Sequence, residues 1–240
     1  MTFGDHIPFN SCNDNDFLKA TIDSVLPVDS SDDNHVFLNH HIDDNDIIID
    51  SCDCKYFSVS DFNDLKRKTS LNILHNNING LERKFENFNN LICNTFPQFD
   101  IIAVSETTQR DKNEGFFCNV NIDGYKLFSI ATKSSRGGAA LYLKSSLNSI
   151  ERTDLNQSSD QFECVWAEIR DWKSKNIICA SIYRHPHNDN DSFTKFFEYM
   201  EKTLSIAVSE NKSLYLCGDF NFDLCKLNEN EKTKRFYAIT

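Results

Sequence analysis

The residues best placed to do chemistry in this chain form the tetrapeptide Gly218-Asp219-Phe220-Asn221, where the apolar run Leu214-Tyr215-Leu216-Cys217 stops abruptly. Short apolar runs bounded by turn residues read as buried strands. Asp219 and Asn221 are two positions apart, so at a strand's end both side chains can face the same way. A carboxylate there can take a proton from water, and a carboxamide can donate to a phosphate oxygen. In an open α/β sheet, that edge is where ligands sit. Taken alone, Gly-Asp-x-Asn also reads as a plain turn, so its meaning depends on what the other elements bring to it.

Those elements begin near residue 70. Leu71 to Asn77 reads as a strand with a polar end, and Gly80 occupies the turn after it. Apolar residues at Leu81, Phe85, Phe88, Leu91 and Ile92 predict a helix over 81–95, closed by Pro97. Asp100 to Val104, apolar from Ile101 onward, then reads as a strand ending at Ser105-Glu106-Thr107. Strand–helix–strand of this length implies a parallel pair, which sets Asn77 and Glu106 at corresponding ends of neighbouring strands. The segments 124–128, 136–143, 162–169 and 176–183, joined by short turns, read as an antiparallel meander ending at Tyr183. Gly137-Gly138 permits either a close backbone approach or a bulge. An amphipathic helix over 192–208 follows, with Ser192 as its expected cap, and a further helix begins near Asn228. Parallel strands at the start and end flank an antiparallel middle. The fold class expected is therefore α/β: a two-sheet α/β sandwich with outer helices.

Composition divides the chain. Residues 1–60 alternate short apolar clusters with runs such as Asp29-Ser30-Ser31-Asp32-Asp33-Asn34, and read as a mostly disordered acidic, Asn-rich leader. Ile47-Ile48-Ile49 has the makings of a brief strand within it, without an evident partner. Residues 61–240 read as one domain. The net charge of −11 over 240 residues, with no basic block, counts against tight nucleic-acid binding by charge alone. Much of the acidity lies in the leader, so the remainder is nearer neutral. Nine cysteines occur without Cys-x-x-Cys pairs, and Cys52-Asp53-Cys54 is too tight for ordinary zinc spacing. His185 with His187, or His40 with His41, are metal candidates only against the plainer reading of solvated loop histidines. The first residues lack a secretory signal, and no apolar run approaches the ~20 residues of a membrane span. Reduced thiols and an intracellular location, nuclear or cytoplasmic, are the expectation.

Five patches in this order resemble a known family, the endonuclease/exonuclease/phosphatase superfamily, and within it most nearly the endonuclease domain of non-LTR retrotransposons. They are Leu74-His75-Asn76-Asn77-Ile78-Asn79-Gly80-Leu81, Ile102-Ala103-Val104-Ser105-Glu106-Thr107, Arg136-Gly137-Gly138-Ala139-Ala140-Leu141-Tyr142, Ile182-Tyr183-Arg184-His185-Pro186 and Gly218-Asp219-Phe220-Asn221. The resemblance covers roughly residues 55–240, including Tyr56-Phe57. It implies a DNase I-like sandwich that hydrolyses phosphodiesters with Mg²⁺, or with Mn²⁺. Glu106 would bind the cation; its plainer reading is a solvated carboxylate. Asn77 would assist at metal and phosphate through its amide, against the reading of a turn-forming Asn, and Asn76 and Asn79 compete with it by register. Tyr183 would hydrogen-bond a phosphate oxygen, against an ordinary strand-end aromatic, and Arg184 would add a positive contact to DNA. Asp219 would orient or deprotonate water, and Asn221 would stabilise the phosphate in the transition state.

The same family pattern ends with a further Asp and a Ser-Asp-His motif, and no Ser-Asp-His occurs in this sequence. The expectation is a domain lacking its last strands, with weak or absent activity in this polypeptide. The family's DNA-nicking activity would then belong to a parent polyprotein carrying a reverse transcriptase domain downstream. The competing readings are a non-catalytic remnant, and a phosphatase or phosphodiesterase of the same fold acting on a small phosphorylated substrate.

Overall fold

Two stripes of different period, one of strands and one of helices, sort the chain into four stacked layers. The computed structural model describes residues 26–27, 71–94, 99–110, 116–173, 175–186, 189–223 and 230–239. The elements are β1 (Leu26–Pro27), β2 (Ile73–Asn77), α1 (Leu81–Asn94), β3 (Ile101–Ser105), α2 (Phe116–Asn119), β4 (Tyr125–Ile130) and β5 (Ala139–Lys144). They continue as β6 (Asn148–Glu151), β7 (Gln157–Ser158), β8 (Phe162–Trp172), β9 (Lys175–Arg184), α3 (Asn190–Ser209), β10 (Ser213–Asp219) and α4 (Glu231–Ile239). One sheet runs β2-β3-β5-β4, and the other runs β1-β10-β9-β8-β6 with β7 also on β8.

The sheets pack face to face through Ile101, Ala103, Leu141 and Leu143 on one side and Val165, Ala167, Ile177, Cys179 and Cys217 on the other. The outer face of the first sheet, with Leu74, Ile102, Val104 and Tyr142, is covered by Leu81, Phe88 and Ile92 of α1. The outer face of the second is covered by Phe193, Phe196, Phe197, Met200 and Leu204 of α3 and Phe236 of α4. β3 and β5 are therefore apolar on both faces, the pattern of strands buried from both sides. No described helix is long and apolar enough to cross a membrane. Cys164, Cys179 and Cys217 are buried free thiols, and Cys93 and Cys118 are exposed ones.

The two parallel pairs expected are present: β2 with β3, and β9 with β10. The middle differs from a single meander. β4 and β5 form a hairpin in the first sheet, and the chain crosses to the second between Lys144 and Asn148. The reason lies in β5, whose two apolar faces demand a place between β3 and β4 with a layer on either side. The helix cap differs too. α3 begins at Asn190, and its cap is Asp189, whose carboxylate accepts the backbone N–H of Ser192 at 2.8 Å. Ser192 itself is buried in the first turn.

Of the region read as a leader, Leu26–Pro27 pairs antiparallel with Leu216 and Tyr215 on the outer edge of β10. The remaining expectations for residues 1–60, and those for His187 and for Asn228, lie outside the described residues.

Candidate active site

Strand register assembles the site. β2 and β3 run in parallel with Asn77 opposite Ser105, so Glu106 emerges one residue past the pair. β9 and β10 run in parallel with Tyr183 opposite Asp219. The Asn77 side chain closes the distance between the sheets: its Nδ2 donates to Glu106 Oε1 at 2.9 Å and to Asp219 Oδ2 at 2.7 Å. Two carboxylates from different sheets thus share one amide nitrogen. Tyr183, buried on β9, lies near enough for the Glu106 and Asp219 charges to act on its phenol. Four of the five residues expected to carry chemistry meet here.

Asn221, the fifth, holds the cluster from behind. It adopts φ +51°, and its backbone N–H donates to Asp219 Oδ1 at 3.0 Å. Its own Nδ2 donates to the Arg184 carbonyl at 2.6 Å, away from the two carboxylates. A Cβ on Gly218 would run into the Ile182 carbonyl oxygen, so only glycine lets β10 carry Asp219 this close to β9.

The backbone that presents Glu106 is strained. Glu106 and Thr108 both lie in the left-handed region, at φ +55° and +54°. Such residues cost of order 1–3 kcal/mol each and persist where surrounding bonds over-determine them. Here Gly80 N–H donates to the Glu106 carbonyl at 2.7 Å, Leu81 N–H to that of Thr107 at 3.1 Å, and Thr108 N–H to that of Gly137 at 2.8 Å. Gly137 and Gly138 immediately precede β5, at φ +117° and +85°. They serve the close backbone approach rather than a bulge within the strand.

Burial pushes the Asp219 carboxyl above the usual carboxylate range, and the neighbouring Glu106 charge pushes it further, against the opposing bonds from Asn221 and Asn77. Burial likewise raises the Tyr183 phenol, reinforced by the Glu106 and Asp219 carboxylates. Tyr183 therefore keeps its proton at neutral pH and acts as a donor. Among the described residues, no three His, Cys, Asp or Glu side chains gather as a metal centre. The donor set nevertheless suits a hard divalent cation, since the two neighbouring carboxylates of Glu106 and Asp219 supply the oxygen ligands that Mg²⁺ takes through one or two carboxylates.

Two sequence expectations are corrected here. Arg184 does not reach toward DNA. It is fully buried, its Nε donates to the Phe220 carbonyl at 2.6 Å and its Nη2 to that of Asn221 at 2.9 Å. Its guanidinium lies 4.0 Å from the Phe193 ring centroid, and burial lowers its pKa to about 10. It fastens the Phe220–Asn221 backbone, because a fork of donors inside the core must find carbonyls. His185 is not a solvated loop histidine either: it is 4% exposed and its Nε2 meets Glu163 Oε1 at 3.1 Å.

That Glu163–His185 pair escaped sequence reasoning. Glu163 is fully buried and lies directly across from Tyr183 on β8. The rings of Tyr183 and His185 meet edge to face at 5.0 Å. The other carboxylate oxygen, Glu163 Oε2, has no hydrogen-bond partner among the described residues. The available signal was a carboxylate two residues before Val165, on the inward-facing side of a period-two strand.

A model of the Endonuclease/Exonuclease/phosphatase family matches residues 69–228 of this sequence. Among solved structures, the chain resembles an AP endonuclease from Leishmania major at 16% identity and a TM-score of 0.55, covering 70% of this chain and 65% of that one. It resembles a 3′ phosphatase from Neisseria, bound to a product DNA hairpin, at 15% identity and a TM-score of 0.50, covering 71% and 70%. The endonuclease domain of TRAS1, a telomere-specific non-LTR retrotransposon, matches at 16% identity and a TM-score of 0.49, covering 71% and 69%. At these identities the likeness is one of fold. The chain spans 65% of the length of the Leishmania enzyme. A search of curated protein sequences finds no match.

Proposed function

Because the chain belongs to the endonuclease/exonuclease/phosphatase family, we propose that its Asn77–Glu106–Asp219 cluster hydrolyses a phosphodiester, and that the substrate is DNA, nicked as by the endonuclease of a non-LTR retroelement. The observation that carries this reading is the single amide of Asn77 bonded to carboxylates from both sheets. Fold relatives described as an AP endonuclease and as a 3′ phosphatase holding a DNA hairpin support a DNA substrate. The five sequence patches support the retroelement class, in which a reverse transcriptase domain is the proposed companion.

Each residue has a task in this reading. Asp219, its basicity raised by burial and by Glu106, orients the attacking water and takes its proton. Tyr183, still protonated, donates to a phosphate oxygen, and Asn77 holds the two carboxylates beside it through its amide N–H groups. Asn221 fixes the Asp219 carboxylate through its backbone N–H. Glu106 would hold Mg²⁺ or Mn²⁺, with Asn77 assisting. When bound, such a cation offsets the charge that builds on the phosphoryl oxygens.

The test is relaxation of supercoiled plasmid with Mg²⁺ present or chelated, with Glu106→Gln alongside. Metal-dependent nicking that Glu106→Gln abolishes supports the reading. Nicking that survives Glu106→Gln, or no nicking by the unaltered chain at high protein concentration, overturns it.

A further inference from the structure

We propose that Glu163 and His185 form a buried positioning pair that fixes the ring plane of Tyr183, and with it the direction in which the phenol donates to a phosphate oxygen. This rests on the phosphodiesterase reading above and adds to it two residues that act through Tyr183.

Strand pairing sets the three side chains together. Glu163 lies directly across from Tyr183 in the antiparallel register of β8 and β9, so both side chains leave the same face of the sheet. His185 follows Tyr183 by two residues, and its backbone N–H donates to the Gln161 carbonyl at 2.8 Å, which carries the ladder past the end of β9. The rings of Tyr183 and His185 meet edge to face, with centroids 5.0 Å apart and planes at 74°. His185 Nε2 in turn meets Glu163 Oε1 at 3.1 Å.

A phenolic O–H prefers the plane of its ring, so whatever fixes that plane fixes the line of donation. The χ2 torsion of a tyrosine is broad on its own, and the imidazole stands against this ring. Glu163 holds the imidazole, the kind of support that locks a working side chain into one rotamer. The pair is itself pressed against backbone: a Cβ on Gly137 would meet Glu163 Oε2 at 2.8 Å and His185 Cε1 at 2.9 Å. The Gly137 carbonyl accepts the N–H of Thr108 at 2.8 Å, so the pair also borders the loop that presents Glu106.

Stability does not account for this arrangement. Glu163 is fully buried, and its Oε2 has no hydrogen-bond partner among the described residues. Two well-packed apolar side chains would serve the fold as well or better. A costly polar pair beside a residue that carries chemistry is explained by what it does to that residue.

The experiment measures nicking of supercoiled plasmid in Mg²⁺ by the unaltered chain, Glu163→Ala, Glu163→Gln and His185→Gln, each with and without Tyr183→Phe, after circular dichroism melts confirm folding. Glu163→Gln keeps an acceptor for the imidazole, whereas His185→Gln keeps a donor to Glu163 and takes the ring away from Tyr183. Glu163→Ala and His185→Gln should lower kcat about 10–100-fold with KM within about twofold. Glu163→Gln should retain most of the rate, and none of the three should lower it further once Tyr183→Phe is present. The same proteins, with isotope-labelled tyrosine rings and free of metal and DNA, are compared by NMR, where Tyr183→Phe identifies one ring among seven tyrosines. The two sides of the Tyr183 ring should give separate signals in the unaltered chain and in Glu163→Gln, and merge in Glu163→Ala and His185→Gln as the ring begins to flip. Should Glu163→Ala fail to fold, His185→Gln carries both readouts. Equal rate losses with and without Tyr183→Phe, Glu163→Gln as impaired as Glu163→Ala, or a Tyr183 ring that stays held in every variant would overturn the proposal. If the unaltered chain never nicks DNA, the phosphodiesterase reading fails by itself, and the ring signals decide whether the pair holds Tyr183.

Discussion

Asn77 and Asp219, 142 positions apart, are joined by a 2.7 Å hydrogen bond from an amide nitrogen to a carboxylate oxygen, and that bond ties one sheet to the other at the mouth of the site. The same nitrogen serves Glu106. Replacing Asn77 with Ala therefore leaves two carboxylates facing each other unbridged. We expect nicking to fall about 10²–10³-fold, the usual loss of one positioned donor, as read in plasmid relaxation.

Asp219→Asn should separate stability from activity. A carboxyl whose folded pKa is raised favours the folded state below the ordinary carboxylate range, and that contribution is lost as pH rises through the raised value. At neutral pH the charged, desolvated Asp219 therefore opposes folding. The neutral variant should melt higher, at roughly 2–4 °C for each kcal/mol recovered, with nicking reduced by about 10²–10⁴. A lower melting temperature in calorimetry would contradict the electrostatic account.

Gly218→Ala should be among the costliest small substitutions. The added methyl meets backbone, the Ile182 carbonyl, which cannot swing aside. β10 must then move away from β9 and take Asp219 with it. A loss of more than about 3 kcal/mol in denaturant melts is expected, in the range reserved for core overpacking and backbone strain.

The Glu163–His185 pair predicts an asymmetry. His185→Ala strands a fully buried carboxyl whose second oxygen already lacks a partner among the described residues, and should cost about 3–5 kcal/mol. Glu163→Gln keeps a hydrogen bond to the imidazole without the charge and should cost far less. Equal losses in urea titrations would show that packing, not the buried carboxyl, dominates.

His75 supplies a pH signature. Its Nε2 meets Ser105 Oγ at 3.1 Å, and burial lowers its pKa from 6.5 to about 4. The unfolded chain takes up a proton at that histidine below about pH 6.5 while the folded chain does not. Stability should therefore fall as pH drops from 6.5 toward 4. His75→Gln should flatten that part of the curve in urea midpoints measured across the window.

The fold was readable wherever burial writes a period into the residues. The apolar stripe of α1, the continuous run of β3 and the helix carrying Phe193, Phe196 and Phe197 announced themselves, and with them the parallel pairs at either end of the domain. Asn77, Glu106, Tyr183 and Asp219 were legible as polar residues that each end a strand, since alternation has to stop where the sheet does. Local pattern does not tell which sheet a strand joins: the two-sheet sandwich is legible, but the antiparallel middle reads as one meander although β4 and β5 lie in one sheet and β8 and β9 in the other.

Whether a polar residue faces outward or inward depends on neighbours hundreds of atoms away along the chain. Arg184 beside a loop reads as a surface cation until Phe220 and Asn221 fold their carbonyls onto it, and His185 as a solvated side chain until Glu163 arrives on the adjacent strand. The sequence by itself determined which residues end the strands and which faces must be buried, because periodicity and side-chain chemistry are local. Only the tertiary structure decided that Asn77 would bridge Glu106 to Asp219, because that contact depends on the register and stacking of two sheets.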